Sequence, residues 1–89
     1  MSSDAGESWD LGWDDCDTCG GNSEWADAEL SPDGTVTLTL RYGCYSSDTY
    51  TGTPADVLTQ LRDDWPTDRR NTFDNPNAFT QIETWLTRQ

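Results

Sequence analysis

Residues 24–42 read Glu24-Trp25-Ala26-Asp27-Ala28-Glu29-Leu30-Ser31-Pro32-Asp33-Gly34-Thr35-Val36-Thr37-Leu38-Thr39-Leu40-Arg41-Tyr42. The first part alternates, with Ala26, Ala28 and Leu30 on one side and Trp25, Asp27 and Glu29 on the other. The last part alternates again, setting Val36, Leu38, Leu40 and Tyr42 against Thr35, Thr37, Thr39 and Arg41. A period of two marks a strand with one buried face. Between the two runs, Ser31-Pro32-Asp33-Gly34 has Pro second and Gly fourth, as a type I turn prefers. Two alternating strands joined by so short a turn form an antiparallel hairpin. An antiparallel sheet therefore lies at the centre of the fold.

Toward the N-terminus, Trp9, Leu11 and Trp13 alternate with Asp10, Gly12 and Asp14 and predict a further half-buried strand, with Trp9 and Trp13 expected in the core. Residues 1–8 read as a flexible acidic leader. Cys16-Asp17-Thr18-Cys19-Gly20-Gly21-Asn22 is rich in residues that tolerate positive φ and predicts a tight turn or knuckle.

Toward the C-terminus, residues 44–51 are Tyr-, Ser- and Thr-rich, a composition suited to a polar edge strand. Thr53-Pro54-Ala55-Asp56 is a helix start, with Thr as N-cap, Pro in the first turn and an acid near the positive end of the dipole. Val57, Leu58, Leu61 and Trp65 recur at helical spacing until Pro66, and residues 67–74 read as a polar connector carrying Arg69, Arg70 and Phe73. By the same capping argument Asn75-Pro76 opens a second helix, with Phe79, Ile82, Trp85 and Leu86 as its apolar stripe. The expected architecture is one α+β domain over residues 1–89. A small antiparallel sheet of three to four strands spans 9–51, and two α-helices over 53–89 pack on one of its faces.

The chain has 17 acidic residues against five Arg, with no Lys and no His, for a net charge of −12. Ten of the acids lie between Met1 and Leu40 without a single basic residue, while the other seven share residues 41–89 with all five arginines. A proteome-wide acidic habit, as in salt-adapted organisms, accounts for net charge as such. It does not account for the asymmetry, which points to an acidic face. Such a face excludes direct nucleic-acid binding, because phosphate contacts need Lys and Arg, and it is repelled by anionic lipid. Its natural partner is a basic protein surface.

The lack of His and Lys removes the commonest general base, the Ser-His and Cys-His pairs, Schiff-base chemistry and the phosphate-gripping lysine, so no enzyme is expected. Met1–Glu7 has neither a basic nor an apolar stretch of the kind a secretory signal needs, and no run reaches membrane-spanning length. The expected location is a cytoplasm, that of the host if the protein is phage-encoded.

Cys16 and Cys19 have the C-x-x-C spacing of a zinc knuckle, and Cys44 follows the hairpin where a second knuckle would stand. Cys16, Cys19 and Cys44 are thus candidate zinc ligands, in a set resembling half a zinc ribbon plus one ligand. Ser47 occupies the place of a fourth thiolate, and Asp17 or Asp48 is the available substitute. Free thiols, a disulfide to Cys44 and a zinc site all remain open, so the cofactor is either none or zinc.

Two functions follow. By size, charge and lack of catalytic equipment the chain resembles, in profile, the phage-encoded anti-restriction and anti-CRISPR proteins, some of which mimic nucleic acid. The resemblance implies an inhibitor or decoy that occupies the basic site of a nucleic-acid-handling protein. Asp10, Asp14, Asp15, Asp17, Trp25, Asp27 and Glu29 are the residues expected to meet that partner, with Trp9, Trp13 and Trp25 as candidate aromatic anchors; core packing competes with that role more strongly at Trp9 and Trp13 than at Trp25, which is expected to be exposed. The alternative is a small structural or adaptor module stabilised by a zinc knuckle, its acidity mere background.

Overall fold

The computed structural model describes residues 6–15, 20–43 and 46–89. Four strands, β1 (Gly6–Asp14), β2 (Asn22–Leu30), β3 (Val36–Tyr42) and β4 (Ser46–Gly52), form an antiparallel meander in the order β1-β2-β3-β4. Three helices follow, α1 (Pro54–Asp64), the single-turn α2 (Thr67–Arg70) and α3 (Asn77–Thr87). The α+β expectation holds: α1 packs on β3 and β4, α3 on β1, and the two helices on each other.

The hairpin forms as its sequence dictates. Gly34 donates its N–H to Ser31 O at 2.9 Å, closing the turn, and the Asp33 carboxylate accepts the Thr35 N–H at 3.0 Å. Ala26 then pairs with Leu40, Ala28 with Leu38 and Leu30 with Val36, so the two alanines of β2 sit beside the two leucines of β3. That inward face, with Trp9 and Leu11 of β1 and Tyr50 of β4, meets Val57 and Leu61 of α1 and Ala78, Phe79, Ile82, Trp85 and Leu86 of α3 in one buried core. Trp9 packs edge-on against Trp85, with ring centroids 6.1 Å apart.

Thr53 caps α1 as expected, its hydroxyl accepting the Asp56 N–H at 3.1 Å. Asn75 does not cap α3. Its side chain instead donates to Asp10 O at 2.8 Å and its N–H to Leu11 O at 3.0 Å, while Pro76 takes the capping position with no side-chain bond. The expected polar connector contains α2, which turns Arg70 back to donate to Trp65 O at 2.6 Å and to the Glu83 carboxylate at 2.8 Å.

Two further expectations are corrected. Strand β1 begins at Gly6, so Gly6, Glu7 and Ser8 belong to the ladder opposite Glu29, Ala28 and Asp27 and not to a leader. Trp13 is not in the core: it is 54% exposed. The cause is a bulge. Asp10 pairs with Trp25 and Gly12 with Glu24, leaving Leu11 as an extra residue, so the alternation shifts by one and Trp13 faces outward opposite Ser23. Gly12 makes the bulge possible, with φ of 135°, and a Cβ there would stand 2.7 Å from Asp74 Cβ.

A polar network ties the far edge of the sheet to α1. Trp65 Nε1 donates to the Tyr50 hydroxyl at 3.1 Å, which donates to Asp64 at 2.9 Å, and the Tyr42 hydroxyl donates to Asp48 at 3.0 Å. Burial first, then the Asp64 and Asp48 carboxylates, push the Tyr50 hydroxyl well above its ordinary pKa; burial and Asp48 push Tyr42 in the same direction. Groups with raised folded-state pKa values stabilise fully below the unfolded value, about 10 for tyrosine, and lose that contribution as pH rises through the folded value. Thermal melts should therefore show stability falling above pH about 10, with a shallower fall in Tyr50→Phe.

Candidate interaction face

Cross-strand partners in a sheet point to the same side, so the register fixes which residues share the face away from the helices. Asp10 pairs with Trp25 and Trp25 with Arg41; Ser8 pairs with Asp27 and Asp27 with Thr39; Glu29 pairs with Thr37. The face thus presents Asp10 beside Trp25, Asp27 and Glu29 in line beyond it along β2, and Trp13 toward the opposite end. Threonines and serines of β3 and β4, including Thr39 opposite Thr49, continue it as a neutral hydroxyl-bearing half.

The electrostatics are one-sided. Arg41 is the one arginine on this face, and its guanidinium lies over the Trp25 ring, 5.9 Å from the centroid. The other four arginines belong to the helical segment. There Arg62 and Arg70 converge on the Glu83 carboxylate at 3.2 and 2.8 Å, the two ion pairs found among the described residues. Burial alone would raise the Glu83 pKa, but hydrogen bonds and charge from Arg70 and then Arg62 outweigh it and hold it low. Asp27 and Glu29 have no such cation opposite them in the ladder, and Asp10 accepts a local bond from the Gly12 N–H at 3.2 Å.

Of the residues expected to meet a partner, the structure brings Asp10, Trp25, Asp27 and Glu29 onto one face. Trp25, expected to be exposed, is half-buried, with the Arg41 side chain over its ring. Asp14 closes β1 opposite Asn22, and Asp15 is exposed just beyond it. Asp17, Cys16, Cys19 and Cys44 lie outside the described residues. Among the described residues no three metal-ligating side chains come together, and Asp48, named as a substitute ligand, turns inward to the Tyr42 and Tyr50 hydroxyls. Of the three candidate aromatic anchors, Trp9 is buried in the core, while Trp13, for which core packing is the stronger expectation, turns outward; the bulge responsible involves Gly12, which reads as an ordinary alternating position in the sequence.

Concavities are small. The one between β1 and α3, about 270 Å³, is lined by Trp9 and Trp85 with Glu7 and Arg88 among its walls. No helix among the described residues is long and apolar enough to cross a membrane. No protein-family model matches the chain, and no curated protein or solved structure is significantly similar to it.

Proposed function

We propose that the helix-free face of the sheet docks onto a basic protein surface, and that the protein acts in a cytoplasm as an acidic inhibitor or decoy occupying the site where that partner binds nucleic acid. One observation carries this reading. Asp10 lies beside Trp25, and Asp27 and Glu29 follow it along β2, on the face that α1 and α3 leave uncovered, while four of the five arginines are held in the helical segment. A rigid sheet displaying several carboxylates without cations opposite them offers a basic groove a concentrated field of the opposite sign. The absence of His and Lys from the chain supports binding over catalysis. The profile matches phage-type anti-restriction and anti-CRISPR proteins in the same respects.

The test is capture of proteins on the immobilised chain at low salt, followed by elution with duplex DNA or with RNA. The proposal expects a nucleic-acid-binding protein that is released by nucleic acid and by salt and is not retained by an Asp27→Asn, Glu29→Gln double variant. Retention indifferent to nucleic acid, salt and the double variant contradicts it.

A second reading, the zinc-stabilised adaptor, is favoured by the topology. In a meander, the β1–β2 and β3–β4 connections leave the sheet at the same end, here marked by Asn22 and Tyr42 and joined by the Glu24 carboxylate accepting the Gly43 N–H at 3.2 Å. Those connections contain Cys16, Cys19 and Cys44. Metal analysis decides it: one zinc per chain, with folding lost to chelator, supports the adaptor, and a metal-free folded chain removes it.

A further inference from the structure

We infer that Trp13 is a pre-organised anchor for an arginine side chain of the partner, an inference that rests on the docking face proposed above and names the chemistry at one end of it. Among the described residues Trp13 is the large hydrophobic side chain left exposed. Here the fold is arranged to hold it outward. The bulge at Leu11 turns it onto the helix-free face. Its backbone N–H donates to Asp74 at 3.2 Å, and the neighbouring bonds from Asn75 to Asp10 O and Leu11 O clamp the strand on either side of the bulge.

The ring itself is seated. Gly21 has φ of 98°, and a Cβ there would stand 2.6 Å from Trp13 Cζ2 and 3.0 Å from Cε2 and Nε1, so the indole rests directly against a bare stretch of β2-proximal backbone. An aromatic ring already immobilised loses little rotamer freedom on binding, which is what a hot-spot residue requires.

The ligand chemistry follows from the chain's own habits. Three of its five arginines stack on aromatic rings: Arg41 over Trp25, Arg69 over Trp65 at 3.9 Å and Arg70 over Phe79 at 5.1 Å. On the helix-free face, Trp25 is therefore already covered by a cation from within, whereas Trp13 is not. A tryptophan face is the strongest side-chain partner for a cation, and the negative field of Asp10 and the exposed Asp15 beside it draws cations toward that end of β1. Between the two basic side chains, the planar guanidinium of arginine stacks on a ring while the compact, strongly hydrated ammonium of lysine does so poorly. The site therefore selects arginine.

The experiment compares octaarginine and octalysine peptides, equal in charge, by calorimetric titration of the full chain at low salt. The wild-type chain should bind octaarginine about three- to tenfold more tightly than octalysine. Trp13→Ala should erase that difference while leaving octalysine binding unchanged, Trp13→Phe should retain part of it, and Trp25→Ala should keep it. Circular dichroism of Trp13→Ala, an exposed position, checks that the fold is intact. Equal binding of the two peptides by the wild-type chain, or an arginine preference that survives Trp13→Ala, overturns the inference and leaves the acidic docking face standing. Failure of both peptides to bind removes the docking face as well.

Discussion

Replacing Phe79 by alanine is expected to remove about 3–5 kcal/mol of folding stability. Phe79 is fully buried, with ring centroids of Trp65 and Phe73 at 5.8 and 5.4 Å and the Arg70 guanidinium over its face. It is the point where α1, the α2 turn and α3 meet. The lost ring leaves a cavity that Trp65 cannot collapse into, because its indole N–H is fixed to Tyr50 and Arg69 covers its face. A domain of 89 residues has roughly 4–13 kcal/mol in total, so the variant should show a much lower urea midpoint and a measurable unfolded fraction in buffer. Trp13→Ala, which removes a larger ring that is 54% exposed, should cost clearly less than Phe79→Ala, because no cavity is left in the core. A Phe79→Ala cost under about 1 kcal/mol would mean the aromatic cluster is not the centre of the core.

The second large effect is on binding. The triple variant Asp10→Asn, Asp27→Asn, Glu29→Gln is expected to weaken octaarginine binding roughly three- to 150-fold at low salt, on the basis of about 0.2–1 kcal/mol for each exposed charge contact. Asn preserves the acceptor that Asp10 offers the Gly12 N–H, so the bulge is retained. The control is a charge-matched triple on the helical side, Asp56→Asn, Asp63→Asn, Asp68→Asn, all exposed residues. Both variants carry three fewer negative charges. If net charge alone governs association, the two lose affinity equally. If the sheet face is the site, the first loses much more, and its remaining binding depends less steeply on salt because fewer charges meet the peptide.

The hairpin is legible in the sequence because the same alternation that buries Ala26, Ala28, Val36, Leu38 and Leu40 also sets their neighbours outward. For that reason the alternation alone marks Trp25, Asp27 and Glu29 as one face. The pairing of Arg41 with Trp25 follows from the turn, which fixes the register at Ser31–Gly34. What escapes such a reading is set by contacts distant along the chain. The bulge at Leu11 is stabilised by Asp74 and Asn75, more than 60 residues away, and Gly12 sits in a run whose apolar residues mimic unbroken alternation. Asn75 carries the composition of a helix cap but is used to clamp β1. The first residues of β1 lack apolar alternation altogether, and only the ladder to Glu29, Ala28 and Asp27 makes them a strand. Periodicity sees a strand through its own side chains; it does not see backbone pairing or a shift of register.

Recognition on the helix-free face is tested most directly by mapping backbone amide and indole shifts in the protein's NMR spectrum during titration with octaarginine. The largest changes are expected at Asp10, Trp13, Trp25, Asp27 and Glu29, with α1 and α3 nearly silent. Changes centred on the acids of the helical segment, such as Asp63 and Asp68, or spread evenly over all carboxylates, would contradict it.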